Sequence, residues 1–441
     1  MLPVGEIDTK EHSIIQADAT NLPYEDETFH AVVTDPPYGL AFMGKSWDDF
    51  EPKEYQEWCE EWASEALRVL KPGGHMLAFS GTRTYHRMAT GVEDAGFEIR
   101  DKIDWLYGSG FPKATDVSKE IDRKLDKEDE REVVDEREET SGMKSIDKNN
   151  EEHDFRPNRY YDDEPDTIKE TVGASEQARR WEGFKTALKP AHEPIVVARK
   201  PLEEDTVAEQ VMETGTAALN IDKSRIPTNG DESLDGGRYS SAVESYKNDE
   251  HHEGYERDWM HDDEHVQKLE DEQEKRIEKA EEQGRYPANI ILDIEASQML
   301  DGEVGESSSA ASKEYHEAYG EESMMIDGES HPGNQYEDTG GPSRFFYTSK
   351  ASKSERTMNE KIDNPHPTVK PVDLMAYLVG LVTAEGQKVC DPFLGSGTTL
   401  LACEQENRVG YGSDMSKEYC DIATKRLGIR LGTELGSFMD Y

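Results

Sequence analysis

Basic residues are scarce in this chain relative to acidic ones: 50 Lys and Arg face 96 Asp and Glu, a formal net charge of -46 over 441 residues. A chain so charged repels itself when ionic strength is low. Cysteine is scarcer still. Cys59, Cys390, Cys403 and Cys420 are scattered, with no Cys-x-x-Cys and no histidine at zinc-ligand spacing. That excludes a disulfide scaffold and a zinc module, and it points to free thiols in a reducing interior. Long apolar runs are missing too. The longest, around Met375 to Ala384, is about half of what a bilayer span requires, and residues Met1 to His12 carry neither a basic stretch nor an apolar run of signal length. The expectation is a cytoplasmic chain with no membrane partner. Hydrophobic residues make up only 34%, so a core exists only where they cluster. The length suggests roughly two to four domains.

The acidity has three readings. One is a folded protein adapted to concentrated salt, where the Debye length shrinks to a few ångströms; the others are an acidic disordered regulator and a DNA mimic. The last two require that no catalytic core be present. Apolar residues do cluster, at opposite ends of the chain. From Ser13 to Gly110 short apolar runs (Ser13 to Ala17, Ala31 to Thr34, His75 to Phe79) alternate with a helical pattern over Lys53 to Leu70 and a turn at Lys71 to Gly74. The alternation recurs from His366 to Leu427: helix Pro371 to Thr383, strand Lys388 to Asp391, a glycine-rich turn Phe393 to Gly397, helix Thr398 to Glu406, strand Arg408 to Gly412 and helix Lys417 to Leu427. Such alternation predicts an α/β fold with a mostly parallel sheet and helices on both faces. Between the two ends, Lys119 to Glu170 and Asp249 to Gly284 are dense in charge, with a solvated helix expected over Asp262 to Glu282. Better patterned islands lie at Trp181 to Pro201 (strand Ile195 to Ala198), Arg285 to Ile294 and Ser343 to Lys350.

Two motifs carry chemistry. Asp35, Pro36, Pro37 and Tyr38 follow a strand directly, the position where open α/β sheets place active sites. Prolines lack N–H groups and have fixed φ, so their carbonyls are held as acceptors. With the Asp35 carboxylate they suit an exocyclic amino group: Asp35 and the Pro36 carbonyl accept its two N–H bonds while Tyr38 stacks on the ring. The plain alternative is a Pro-Pro turn that merely ends a strand. The second motif runs from Val389 to Leu400, where Gly395 and Gly397 let the backbone approach a ligand and Thr398 opens a helix. Asp414, nineteen positions after Gly395 (414 minus 395), stands where Rossmann-like folds set an acid on ribose hydroxyls. The turn lacks the full dinucleotide pattern, which argues for a nucleoside ligand rather than a pyrophosphate; its plain alternative is an ordinary strand-to-helix turn.

Taken together these residues resemble the S-adenosylmethionine-dependent amino-methyltransferases of DNA, in the permuted order called the beta class. Asp35 to Tyr38 is similar to that family's catalytic motif, Asp391 to Gly397 to its cofactor loop, and His366 to Pro371 to the motif that introduces the loop. Gly410 to Asp414, with Tyr419, Ala423, Arg426 and Leu427, resembles its ribose-binding strand and helix. Asp18 with Ala19, Leu70 to Gly74, and His192 with Glu193 agree as well. The resemblance covers roughly the first 110 and last 75 residues plus the Trp181 to Pro201 island. It departs from the pattern at Ser413, where an apolar residue is common, and in the acidic stretch Lys119 to Glu170, an insertion between two strands.

The resemblance implies a permuted Rossmann-like fold with an inserted recognition region, divided as follows: a catalytic half at 1–112, an acidic insertion at 113–180, a strand region returning to the sheet at 181–201, a target-recognition region at 202–345, and a cofactor-binding half at 346–441. It implies S-adenosyl-L-methionine as cofactor, held by Asp18, Thr368, Lys370, Asp391, Phe393, Gly395, Gly397, Thr398 and Asp414, and catalysis by Asp35, Pro36, Pro37 and Tyr38 with no covalent enzyme intermediate and no metal. The target is the N6 amine of adenine in duplex DNA, flipped out of the stack, with N4 of cytosine as the alternative; an inactive DNA-binding relative and a methylase of RNA or of a protein amide are further readings. DNA binding by so acidic a chain requires local basic surface: Arg179, Arg180 and Lys189 foremost, then Arg83, Arg87, Lys113, Lys350, Lys353 and Arg356. A cognate restriction endonuclease would be encoded separately. Motifs at both ends leave the disordered-regulator and DNA-mimic readings without the whole chain, and a protein of halophilic type is expected.

Overall fold

The structure is a computed structural model and describes residues 12–40, 50–110, 114–138, 167–227, 284–305, 307–308, 339–349, 357–358, 361–364 and 369–430. The solvated helix expected over Asp262 to Glu282 lies outside these residues. In chain order the strands are β1 (Ser13–Gln16), β2 (Phe29–Thr34), β3 (Leu70–Phe79), β4 (Glu98–Leu106), β5 (Glu132–Glu138), β6 (Thr167–Val172), β7 (His192–Arg199), β8 (Ile290–Asp293), β9 (Ser307–Ser308), β10 (Thr339–Gly340), β11 (Tyr347–Ser349), β12 (Lys388–Asp391) and β13 (Val409–Asp414). The helices are α1 (Pro52–Val69), α2 (Tyr85–Asp94), α3 (Val117–Lys124), α4 (Glu176–Arg179), α5 (Val207–Thr214), α6 (Ile294–Val304), α7 (Val372–Val382), α8 (Thr398–Gln405) and α9 (Lys417–Arg430).

Helix α1 shows how local sequence sets these elements. Glu51 and Glu54 close a capping box around its first turn, and Pro52 sits at the opening position, where a missing N–H costs nothing. Tyr55, Cys59, Trp62, Ala63, Ala66 and Val69 recur at helical spacing and are all buried. They pack with Met88 and Val92 of α2 over one face of the sheet, while Leu374, Met375, Leu378 and Val379 of α7 cover the other. The four cysteines are all buried and free. Among the described residues, no helix is long and apolar enough to cross a membrane.

Nine strands form one sheet in the order β1-β13-β12-β2-β3-β7-β4-β8-β11. Every neighbouring pair is parallel except those of β7, which runs antiparallel to both β3 and β4. The sheet is therefore mostly parallel with helices on both faces, as the alternation predicts. Two topological facts position the site. Strand β2 from the N-terminal half pairs with β12 from the C-terminal half, Ala31 opposite Val389 and Val32 opposite Cys390. The reversal of β7 brings its first residues, His192 and Glu193, to the edge where its parallel neighbours end.

The stretch Lys71 to Gly74 is a bulge within a strand rather than a free turn. Phe29 pairs with Leu70 and Ala31 with His75, so two steps along β2 match five along β3. Gly73, at φ 75°, absorbs the extra residues, and a Cβ there would lie 2.8 Å from the Gln210 side chain.

The chain divides into two compact units, residues 1–108 with 192–441, and Ser109–Ala191. The expected boundary between an insertion at 113–180 and a returning strand region at 181–201 is placed differently. Val117 N–H bonds to Phe184 O and Thr186 N–H to Thr115 O, which ties residues 184–186 to the start of the second unit. The returning strand starts only at His192. Within the second unit, β5 and β6 pair antiparallel. Asp122 is fully buried and accepts from Arg131 (2.6 Å), the Ser175 hydroxyl (2.6 Å) and the Ala174 N–H (2.8 Å). Burial alone would raise its pKa, but these donors outweigh it and hold the carboxyl down at about 2. Of the region 202–345, α5 docks beside β3, with Thr214 and Thr216 donating to Pro72 O, and β8 joins the main sheet next to β4. These parts belong to the catalytic unit.

Candidate active site

Asp35 stands one residue beyond β2, and four side chains, its own included, converge there from three separate segments. The Asp35 Oδ1 accepts from the Tyr38 hydroxyl at 2.8 Å, and its Oδ2 from the Lys370 ammonium at 2.6 Å. Tyr38 OH also lies 2.8 Å from Glu193 Oε2, at the start of β7. Lys370 reaches Tyr38 OH at 3.1 Å and Glu193 Oε2 at 3.2 Å, with the face of Phe79 4.8 Å from its nitrogen. Burial by itself would lower the Lys370 pKa, but the Asp35 and Glu193 carboxylates outweigh it and hold the ammonium firmly protonated. Tyr38 is pushed well above the usual phenol range, by burial first and then by the same two carboxylates.

The turn itself is pinned by its carbonyls. Tyr55 OH donates to Pro37 O at 3.0 Å and Thr84 Oγ1 to Tyr38 O at 2.6 Å. Gly39, at φ 63°, has no room for a Cβ, which would meet the Tyr55 ring at 2.6 Å. Among the described residues the Pro36 carbonyl accepts no hydrogen bond. It follows Asp35 directly in the chain, and an amino group with two N–H bonds needs two acceptors.

The glycine-rich turn follows β12 on the neighbouring strand. Asp391 is buried and its carboxylate is engaged within the protein: Oδ1 accepts from Thr34 Oγ1 (2.6 Å) and Phe393 N–H (3.1 Å), Oδ2 from Thr399 Oγ1 (2.5 Å). It thus ties the end of β2 to the glycine-rich turn. Asp414 ends β13 and accepts from the Gly395 N–H (2.9 Å) and the Ser416 N–H (2.8 Å); burial raises its pKa despite those bonds. Gly397, at φ 86°, packs on α9, where a Cβ would approach that of Ala423 to 2.7 Å. Thr398 accepts from the buried Arg426 guanidinium at 3.1 Å. Asp18 follows β1, which pairs with β13, and Ala17 N–H bonds to Asp414 O. The Phe393 ring lies edge-on to Trp58 and Trp62 of α1. Asp18, Asp391 and Asp414 thus stand at the ends of three adjacent parallel strands, flanking the turn.

The structure brings Asp35, Pro36, Pro37 and Tyr38 together with Lys370, which sits on Asp35 rather than beside the glycine turn. Thr368 lies outside the described residues. Arg179, Arg180 and Lys189 belong to the unit Ser109–Ala191. There Arg179 donates to Gly173 O at 2.8 Å and Arg180 to Glu176 at 2.5 Å. The residue that sequence reasoning missed is Glu193. It stood in a stretch that agreed with the family pattern, but nothing local in sequence shows that an antiparallel strand delivers it to Asp35.

The buried carboxylate of Asp391 gives a measurable pH signature. Burial outweighs the donated hydrogen bonds from Thr34 and Thr399 and pushes its pKa up to about 6. A carboxyl raised in the folded state contributes stability below its unfolded pKa, near 4, and loses that contribution as pH rises through 6. Asp391→Asn is therefore expected to be more stable than the parent at pH 8, by up to about 3 kcal/mol, with the gap closing towards pH 4. Thermal melts across that range check this, and a gap independent of pH would contradict it.

An Asp-Pro-Pro-Tyr turn at the carboxyl end of β2, with the Pro36 carbonyl open among the described residues and a glycine-rich turn on the neighbouring strand, suits an enzyme that alkylates amino groups. A family model described as DNA methylase, of the N6/N4 type, matches residues 29–425, and the chain belongs to that family: it is an adenine-N6 or cytosine-N4 DNA methyltransferase that uses S-adenosylmethionine. It is 21% identical to the type II methyltransferase M.HindIII of Haemophilus influenzae, over 92% of this chain and 91% of that one. A shorter stretch of 63 residues is 46% identical to M.HpaI of Haemophilus parainfluenzae, covering 14% of this chain and 20% of that one. Among solved structures, the cytosine-N4-specific PvuII DNA methyltransferase aligns over 94% of this chain and 86% of its own, with 13% identity and a TM-score of 0.41.

Proposed function

We propose that this chain methylates the N6 amine of adenine at a specific sequence in duplex DNA after flipping the base out of the helix. The observation that carries this reading is the acceptor pair: the Pro36 carbonyl, free among the described residues, beside the pinned Asp35 carboxylate. An exocyclic amine is a poor nucleophile because its lone pair is delocalised into the ring. Accepting both N–H bonds at Asp35 and Pro36 favours a pyramidal nitrogen whose lone pair points away from the ring, so orientation and charge stabilisation together lower the barrier. Tyr38, fixed at its hydroxyl, offers its ring to replace the stacking lost on flipping. S-adenosylmethionine, when bound, supplies an electrophilic methyl group on a sulfonium. The donor set fits that cofactor: Asp414 and Asp18 offer acceptors at the ends of adjacent strands for ribose hydroxyls and the adenine edge, and the Phe393 to Thr398 turn lets backbone approach the amino-acid end.

The Asp-Pro-Pro-Tyr form leans towards adenine among the enzymes it resembles, and N4 of cytosine is the second reading. Sequence recognition is assigned to residues outside the catalytic sheet, because reading a duplex needs added surface; Arg179, Arg180 and Lys189 are the proposed phosphate contacts. A separately encoded restriction endonuclease is the proposed partner, and a cytoplasm rich in salt the proposed setting. Expression in a methylation-free host followed by single-molecule sequencing of its genome tests the assignment. N6-methyladenine at one recurrent site is expected; N4-methylcytosine there would replace the first reading with the second, and no modified base would refute both.

A further inference from the structure

The cluster around Asp35 is one hydrogen short. Five contacts join its four side chains: Lys370 to Asp35 (2.6 Å), Tyr38 (3.1 Å) and Glu193 (3.2 Å), and Tyr38 OH to Asp35 and Glu193 (both 2.8 Å). The ammonium supplies three hydrogens and the phenol one, and carboxylates supply none. Four hydrogens serve five contacts, so the phenol oxygen always faces one carboxylate at hydrogen-bond distance without a proton between them. Methylation of an amine solves this shortage. The nitrogen lone pair forms the new N–C bond as the C–S bond breaks with its electron pair left on sulfur, and the nitrogen, now cationic, must release one proton.

We infer that Glu193 is the terminal acceptor of that proton, reached through Tyr38. The amine proton passes to Asp35, the Asp35 proton to the Tyr38 oxygen, and the Tyr38 hydroxyl proton to Glu193. Charge balances at each transfer, because one proton leaves the substrate and one carboxylate is neutralised. The Glu193 side chain keeps 21% of its surface exposed, so the proton leaves to water before the next turnover. Lys370 holds both carboxylates at fixed distance from the phenol without taking part, since its ammonium is held protonated. Glu193 does not touch the substrate; it is a positioning residue at the far end of a relay. The inference rests on amine methylation and holds equally for adenine or cytosine.

The test is single-turnover methyl transfer by the full chain on a methylatable duplex, with wild-type activity as the control that separates failure of the relay from failure of the functional assignment. Glu193→Gln keeps the shape but accepts no proton. Its rate constant is expected to fall about tenfold to a hundredfold, to rise with pH, and to recover with buffer concentration, while cofactor affinity by calorimetry and the melting temperature stay near those of the parent. The groups facing Glu193 are Lys370, Tyr38 and, through their charge, Tyr107, with Asp104 and His192 alongside on β4 and β7. Parallel profiles of His192→Gln therefore exclude that residue as the source of any change. Tyr38→Phe, which keeps the stacking ring, is expected to match Glu193→Gln, and the double variant to be no worse than either single. A wild-type rate and pH profile in Glu193→Gln, or losses that add in the double variant, would overturn the relay. If Glu193→Gln lowers the melting temperature, Tyr38→Phe decides alone: a slow, buffer-dependent rate supports the relay and a wild-type rate overturns it.

Discussion

Asp35→Ala is expected to lower the rate of methyl transfer about a thousandfold while leaving cofactor affinity within a few-fold. The effect is large because, in the proposed mechanism, Asp35 provides one of two acceptors for the target amine, and losing it also removes the negative charge that opposes the cation developing on nitrogen. The fold is expected to survive the change. Lys370 keeps Glu193 at 3.2 Å and the Tyr38 hydroxyl at 3.1 Å, so the buried ammonium is not orphaned. The cofactor turn is organised by Asp391 and Asp414, on other strands. Single-turnover kinetics with calorimetry of cofactor binding separates the two effects. Retained methylation by Asp35→Ala would refute the assigned role, and a parallel collapse of cofactor affinity would move Asp35 from catalysis to binding. Asp35→Asn preserves one acceptor oxygen and belongs between the two.

The second large effect is on salt. The melting temperature in ~0.1 M salt is expected to lie at least about 10 °C below that in ~2 M salt, because the Debye length contracts from about 10 Å to a few ångströms over that range. The structure shows where the repulsion acts. Along the outward face of α1, Glu54, Glu57, Glu60 and Glu61 are all exposed, and Glu57 has Glu54, Glu60 and Glu61 three or four residues away, where like charges oppose the helix by a few tenths of a kcal/mol per pair, on the order of 0.2–0.5. Among the described residues only Lys53 answers them, in an exposed contact 3.6 Å from Glu57. Salt also weakens contacts to DNA phosphates, so methylation is expected to pass through an optimum in salt while stability keeps rising. Highest stability in dilute buffer would refute the halophilic reading.

The elements that sequence defined well are those with strong local signals. The 3.6-residue recurrence of Tyr55, Cys59, Trp62 and Ala66 fixed α1 to within a residue, and strand Lys388 to Asp391 and helix Thr398 to Glu406 lie where apolar runs and the glycine turn place them. Asp35 was legible because two prolines and an aromatic are a rare punctuation after a strand. What local pattern could not supply was register over distance. Lys71 to Gly74 reads as a turn because Pro-Gly-Gly breaks most structure, yet its neighbour β2 holds it in a bulge. Lys370 belongs in sequence to the motif introducing the cofactor loop, but chain geometry delivers its ammonium to Asp35. Glu193 reached the site only because β7 alone runs against its neighbours. Trp181 and Phe184 read as the approach to a strand, whereas backbone bonds to residues 115–117 assign them to a separate unit.

The pairing of β2 with β12 also governs when the enzyme comes into being. Thr34 and Asp391, which share the bond that joins the catalytic strand to the cofactor turn, are separated by 357 positions. At ribosomal speeds of about 5–20 residues per second, roughly 20 to 70 s pass between the synthesis of one and the other. Until β12 is made, β2 has no partner on that side, and its shortness, six residues, limits what a wrong strand could pair with there. A chain released early has Asp35, Pro36 and Tyr38 but no seat for the methyl donor. Truncated translation products are consequently expected to transfer no methyl group, so that DNA would be marked only by chains read through to the last strands.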